Sequence, residues 1–164
     1  MSKTSNRTVT VVGVGIVLLA LSVVLLSVLS PVLSARKALR TYSRALREAE
    51  VFSYVSVTDP REHSDIYWAT DAEARLTDKG EIDALRDLLL TYMDGAKYDG
   101  VEESVSGNWD IRVRFAGEEL IDIYLREDCF YFSQNGRKFL FEPTDAAAYT
   151  AWRTAWLDGI FTQS

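Results

Sequence analysis

The chain has 164 residues, 48% of them hydrophobic and 26% charged, with a formal net charge of −6 and one cysteine, Cys129. Seven basic and no acidic residues precede Glu48, whereas residues 51–164 carry 22 acidic against 11 basic side chains. The acidic part excludes nucleic acid as a partner, because that binding needs a basic patch to displace counterions, and a lone cysteine excludes an internal disulfide.

The first element is an uncharged run from Val9 to Leu29. As a helix rising about 1.5 Å per residue it covers roughly 30 Å, the thickness of a bilayer's hydrocarbon core. Its valines, leucines and Ile16 each favour insertion by about 0.3–0.6 kcal/mol at the helix centre, which outweighs Thr10, Gly13, Gly15, Ser22 and Ser27. The run is apolar on every side, so it does not read as a helix lying on a globular core. A cleaved export signal has a shorter apolar region, about 7–15 residues, followed by small residues. No cysteine closes the run to accept a lipid, so the expectation is a permanent signal-anchor at 8–33 behind a basic tail at 1–7. Gly13 and Gly15 stand two apart rather than four and form no small-residue dimer face.

Orientation is pulled both ways. Arg36, Lys37, Arg40, Arg44 and Arg47 follow the span and favour a cytoplasmic domain, while Lys3, Arg7 and the α-amine hold the short tail inside and favour an extracytoplasmic one. The expectation is extracytoplasmic, since long C-terminal domains translocate largely regardless of charge. The alternative is a cytoplasmic regulator tethered at the membrane, with the basic segment near anionic headgroups. Residues 34–50 read as a basic helical stalk with Leu39, Tyr42, Leu46 and Ala49 on one face, and Pro31 is expected to kink the junction.

Residues 51–164 suit one domain. Phe52–Thr58 reads as a strand and DPREHSD (59–65) as a loop; 65–70 and 73–77 are expected to form a hairpin across Asp71-Ala72. Asp78 followed by Glu81 is a capping-box-like helix start, and Ile82, Leu85, Leu89 and Tyr92 make its apolar stripe. Asp94–Gly107, with three glycines and Glu102-Glu103, reads as a surface loop.

A four-strand meander follows. Asn135-Gly136 is the strongest turn signal in the chain, because a type I′ hairpin needs positive φ at both central residues. It sets Phe132 across from Phe139 and Phe130 across from Phe141, all on one face. A three-residue loop at 116–118 puts Ile111 opposite Ile123, Val113 opposite Ile121 and Arg112 opposite Asp122. Thr144-Asp145 is expected to cap a last helix whose stripe of Ala148, Tyr149, Trp152, Ala155 and Trp156 covers the phenylalanine face. The whole reads as α+β: one transmembrane helix and stalk, then an antiparallel sheet packed by two helices.

The inventory for chemistry is thin. His63 is the only histidine, and no local signature joins it to Cys129. Glu62, His63 and Asp65 could serve a metal-dependent enzyme through the 59–65 loop, but their spacing matches no strong zinc or calcium pattern. The acidic doublets at 102–103, 118–119 and 127–128 fall in loops, where charges are solvated rather than catalytic. No catalytic residue, metal ligand or cofactor is therefore assigned. With the phenylalanines inward, the opposite face presents Arg112, Arg114, Asp122, Tyr124 and Tyr131, a candidate contact surface because Tyr and Arg are enriched at interface hot spots. Its expected partner is a protein or peptide, and the chain's other partner is the lipid bilayer.

The apolar anchor, the helix EIDALRDLLLTYM and the hairpins IRVRFAGEELIDIYL and CFYFSQNGRKFLFE resemble small uncharacterised membrane-anchored α+β domains of Gram-positive bacteria. The resemblance covers residues 65–160 in architecture. It implies a similar fold and a domain outside the cell membrane, and it carries over no functional residue.

Overall fold

The computed structural model describes residues 3–49, 51–59, 72–103 and 110–162. They comprise α1 (Lys3–Glu48), β1 (Tyr54–Asp59), β2 (Ala72–Leu76), α2 (Lys79–Met93), β3 (Lys97–Glu103), β4 (Ile111–Ala116), β5 (Leu120–Leu125), β6 (Phe130–Gln134), β7 (Arg137–Glu142) and α3 (Ala146–Thr162). The chain divides into two compact units, the first ending at Ser34 and the second running from Ala35.

In the first unit the helix is apolar and exposed from Val17 to Leu29. It is the one helix among the described residues long and apolar enough to cross a membrane. Ser22 and Ser27 return their hydroxyls to the carbonyls of Leu18 and Val23 at 2.8 Å, which removes the cost of leaving them without partners in an apolar setting. Helix α1 also continues through Pro31, which has no N–H to give the Ser27 carbonyl.

The second unit is an α+β layer pair. Its sheet has seven antiparallel strands in the order β2-β1-β4-β5-β6-β7-β3. Alternation along the strands sends Val55, Val57, Ile111, Val113, Phe115, Ile121, Ile123, Phe130, Phe132, Phe139 and Phe141 to one face, all buried. Three helical segments cover that face instead of two. Besides α2 and α3, the part of α1 read as a stalk brings Ala35, Ala38 and Leu46 into the same core. Tyr42 of α1 stacks on Phe132 at 4.2 Å and donates to the Ser133 carbonyl at 3.2 Å. That carbonyl lies beyond the two rungs, Tyr124↔Tyr131 and Leu125↔Phe130, at which β5 and β6 pair.

Several expectations hold in detail. The Asp78 side chain accepts from the Glu81 amide at 3.0 Å, and Ile82, Leu85, Leu89 and Tyr92 are buried. Asn135 (φ 52°) and Gly136 (φ 73°) both take the left-handed region, and Phe132↔Phe139 and Phe130↔Phe141 pair as the turn requires. Asp145 accepts from the Ala148 amide at 2.9 Å and starts α3. Its neighbour Thr144 instead ties off α2, donating to the Asp94 carbonyl at 2.6 Å. Tyr149 and Leu157 of α3 are buried, with Trp152 and Trp156 packed beside them, but Ala148 and Ala155, expected in the same stripe, are exposed, and Leu157 takes the inward position instead.

Other expectations need correction. Residues 97–103, read as loop, form edge strand β3, with a bulge between Tyr98 and Gly100 that lets a glycine-containing segment pair with β7. β2 does form at 72–76, but pairs with β1; the partner expected at 65–70 lies outside the described residues. The β4–β5 hairpin slips by one residue on each strand, because Ala116 pairs with Leu120 and the three-residue loop is Gly117–Glu119. Ile111 therefore faces Leu125, Val113 faces Ile123, and Arg114, not Arg112, faces Asp122. The faces survive this shift because an even total displacement preserves the pleat.

Candidate functional site

The face away from the helices carries one row of neighbours across all seven strands: Glu73, Thr58, Arg112, Tyr124, Tyr131, Leu140 and Gly100. A second row runs Arg75, Ser56, Arg114 and Asp122. The five residues singled out from the sequence thus share one face, but they do different things.

Arg114 and Asp122 satisfy each other. Two hydrogen bonds of 2.7 Å run from Nε and Nη2 of the arginine to the two carboxylate oxygens. This fork-to-fork geometry is the strongest form of the pair, and it holds the guanidinium above its ordinary pKa. Tyr131 is not a contact residue at all, being 0% exposed. Tyr124 lies flat on it, ring centres 4.7 Å apart and planes within 6°. Arg126 and Lys138 approach its ring at 5.2 and 5.0 Å, and its hydroxyl donates to Asp110 at 2.9 Å. Burial first, and then Asp110, push the Tyr131 hydroxyl above the ordinary tyrosine value, so it stays a donor.

Asp110 and Arg126 were not found from the sequence. Arg126 holds Glu102 through bonds of 3.0 and 2.8 Å, and Asp110 through Nε at 3.2 Å. Glu102 is the next-to-last residue of β3 and Asp110 immediately precedes β4, so one guanidinium ties the end of an edge strand to the start of an interior one. The hydrogen bonds from Arg126 hold the Glu102 carboxyl below the ordinary glutamate range. The only local sign of this was the Glu102-Glu103 doublet, read as solvated.

Arg112 differs from these cations. Arg114, Arg126 and Lys138 each reach a carboxylate, the last at 3.7 Å from Asp110. Among the described residues Arg112 gives one hydrogen bond, at 3.2 Å, to the neutral hydroxyl of Thr58, and its buried Nε–H meets no acceptor. A guanidinium carries five donors and a fixed positive charge. Beside it stands Tyr124, half-buried and braced by the stack, whose hydroxyl is raised above its usual pKa by burial and then by Asp122. Arg112 and Tyr124 therefore form a rigid cationic and aromatic pair suited to a carboxylate or another planar anion.

Cys129 is not primed as a nucleophile. Burial and the neighbouring Asp128 push the Cys129 thiol up to about 12, far from the thiolate a nucleophile needs. Tyr149, a fully buried residue of α3, donates to the carbonyls of Cys129 at 2.9 Å and Arg126 at 3.2 Å, so it braces the β5–β6 turn. Among the described residues no three His, Cys, Asp or Glu side chains cluster as metal ligands. Glu62, His63 and Asp65 lie outside those residues. Glu118, Glu119, Glu127 and Asp128 are exposed in turns. Compared with family models, curated proteins and solved structures, the chain matches none.

Proposed function

We propose that this chain is a single-pass membrane-anchored protein whose domain binds a protein or peptide partner without catalysing a reaction, and that the partner presents an anionic group to Arg112 beside Tyr124. The observation that carries this reading is the charge imbalance at Arg112: Arg114, Arg126 and Lys138 on this face have carboxylates, whereas among the described residues Arg112 is matched only to a hydroxyl. A half-buried guanidinium with unused donors gains more from an incoming carboxylate than a solvated lysine does, because its own desolvation has already occurred in folding. The anchor is supported by the exposed apolar helix, whose side chains from Val17 to Leu29 have no protein cover.

Titrating the detergent-solubilised full chain with acidic peptides tests the site. Arg112→Gln is expected to weaken binding at least tenfold, about 1.4 kcal/mol, while Arg137→Gln on the exposed hairpin leaves it unchanged. Equal binding by the Arg112 variant would discard the assignment. The anchor is tested by alkaline carbonate extraction of membranes, in which the full chain is expected to stay with the lipid.

For placement, the reading is extracytoplasmic, supported by the basic tail Lys3 and Arg7 staying inside. The cytoplasmic alternative draws on Arg36, Lys37, Arg40, Arg44 and Arg47, all of them exposed. Protease added to intact cells should digest the domain in the first case and spare it in the second.

A further inference from the structure

The sheet's two edges are not alike. β3 carries a bulge and the acids Asp99, Glu102 and Glu103, devices that discourage pairing with another strand. β2 is regular, and its sequence is Ala-Glu-Ala-Arg-Leu. Among the described residues no strand lies on its outer side.

We infer that β2 is the contact through which two copies of this chain pair, antiparallel about a two-fold axis at Ala74. Two-fold pairing of a strand with itself sets residues i and j opposite when their numbers sum to a constant. Centred on Ala74, that register puts Glu73 of each copy opposite Arg75 of the other. Both contacts are opposite-charge pairs, and the alternation of side chains is preserved across the junction.

Three features of the edge fit this occupant. Glu73 is exposed and makes no ion pair among the described residues. Arg75 is exposed but not loose: its guanidinium lies 3.7 Å from the centre of the Tyr54 ring, which fixes it on the same face as Glu73. Beneath the edge lies a groove of about 620 Å³, where Leu85, Leu88, Trp152, Trp156 and Ile160 approach Ala74 and Leu76. The two-fold sets these grooves side by side under the joined strands, so the second copy removes their apolar walls from water. The result is one sheet of fourteen strands, twice the seven of a single copy. This inference does not depend on the reading of Arg112, which lies two strands inward.

Disulfide trapping of the full chain in detergent or native membranes tests it. Directly opposed residues in an antiparallel pair have Cα atoms about 4.5–5.5 Å apart, inside the range of about 4.4–6.8 Å that a disulfide bridges. Ala74→Cys is therefore expected to give a covalent dimer under mild oxidation, while the parent chain, whose Cys129 is buried, gives none. In the Ala74→Cys background, Glu73→Arg or Arg75→Glu alone turns both contacts into like-charge pairs and should lower the trapped fraction about tenfold. Together the two substitutions restore opposite charges and should restore trapping. Association through the apolar helix would ignore these charges. Absence of the Ala74→Cys dimer, or trapping indifferent to the charge reversals, overturns the proposal, as does capture of an added edge-strand peptide in place of a second copy.

Discussion

The two faces of the sheet are built from alternate residues of the same strands, yet they are held by different physics. The helix-covered face is apolar, with Phe130, Phe132 and Phe141 in mutual ring contact and Tyr42 laid on Phe132. Its energy scales with area removed from water and has little direction. The opposite face is also largely shielded, but its buried Tyr131 and Lys138 and its half-buried Arg114 and Arg126 depend on particular partners at particular distances. A face of the first kind follows from composition and period. One of the second kind follows from who meets whom: Arg112, matched among the described residues only to a hydroxyl, stands out against Arg114, Arg126 and Lys138, which reach carboxylates.

The largest expected effect lies on the apolar face. Phe132→Ala removes a fully buried ring touching three others and should cost about 3–5 kcal/mol, read as a lower urea midpoint of the detergent-solubilised chain. A loss below about 1 kcal/mol would mean that α1 does not pack there. Next is the polar clamp. Arg126→Ala releases Glu102 and Asp110 together and is expected to cost about 1.5–3 kcal/mol. The same clamp has a pH signature. Arg126 holds the Glu102 carboxyl below its ordinary value of 4.5, so this contribution is complete above that pH and is lost as acidification passes the lowered value. Glu102→Gln should flatten that part of the acid unfolding curve; an unchanged curve would assign it elsewhere. Smaller again is Tyr149→Phe, which leaves the carbonyls of Cys129 and Arg126 without its hydroxyl at about 1 kcal/mol, measured by thermal unfolding.

What the sequence made legible divides along the same line. Asn135-Gly136 specifies its turn through local backbone preference, and from it the partners of Phe130 and Phe132 follow by counting. Asp78 and Asp145 announce their helices because a capping carboxylate acts within three residues. β3 was not legible, since a bulged edge strand with Gly100 is held by the backbone of β7, about 40 residues on. The slip at Gly117 escaped for a related reason: both candidate registers bury the same apolar set, and only the Arg114–Asp122 pairing separates them. Tyr131 was placed on the correct face and given the wrong exposure, because its cover comes from Arg126, Lys138 and Asp110, which no local pattern connects to it.

Arg114 is held by a carboxylate, whereas Arg112, two residues away, is proposed as the cation of recognition. Equilibrium urea unfolding of Arg112→Gln and Arg114→Gln, side by side at neutral pH, separates them without knowledge of any ligand. Arg114→Gln strands Asp122 and is expected to lose about 1–2 kcal/mol, whereas Arg112→Gln should lie within about 0.5 kcal/mol of the parent chain. Equal losses in the two variants would make Arg112 another brace of the fold and contradict its role in binding.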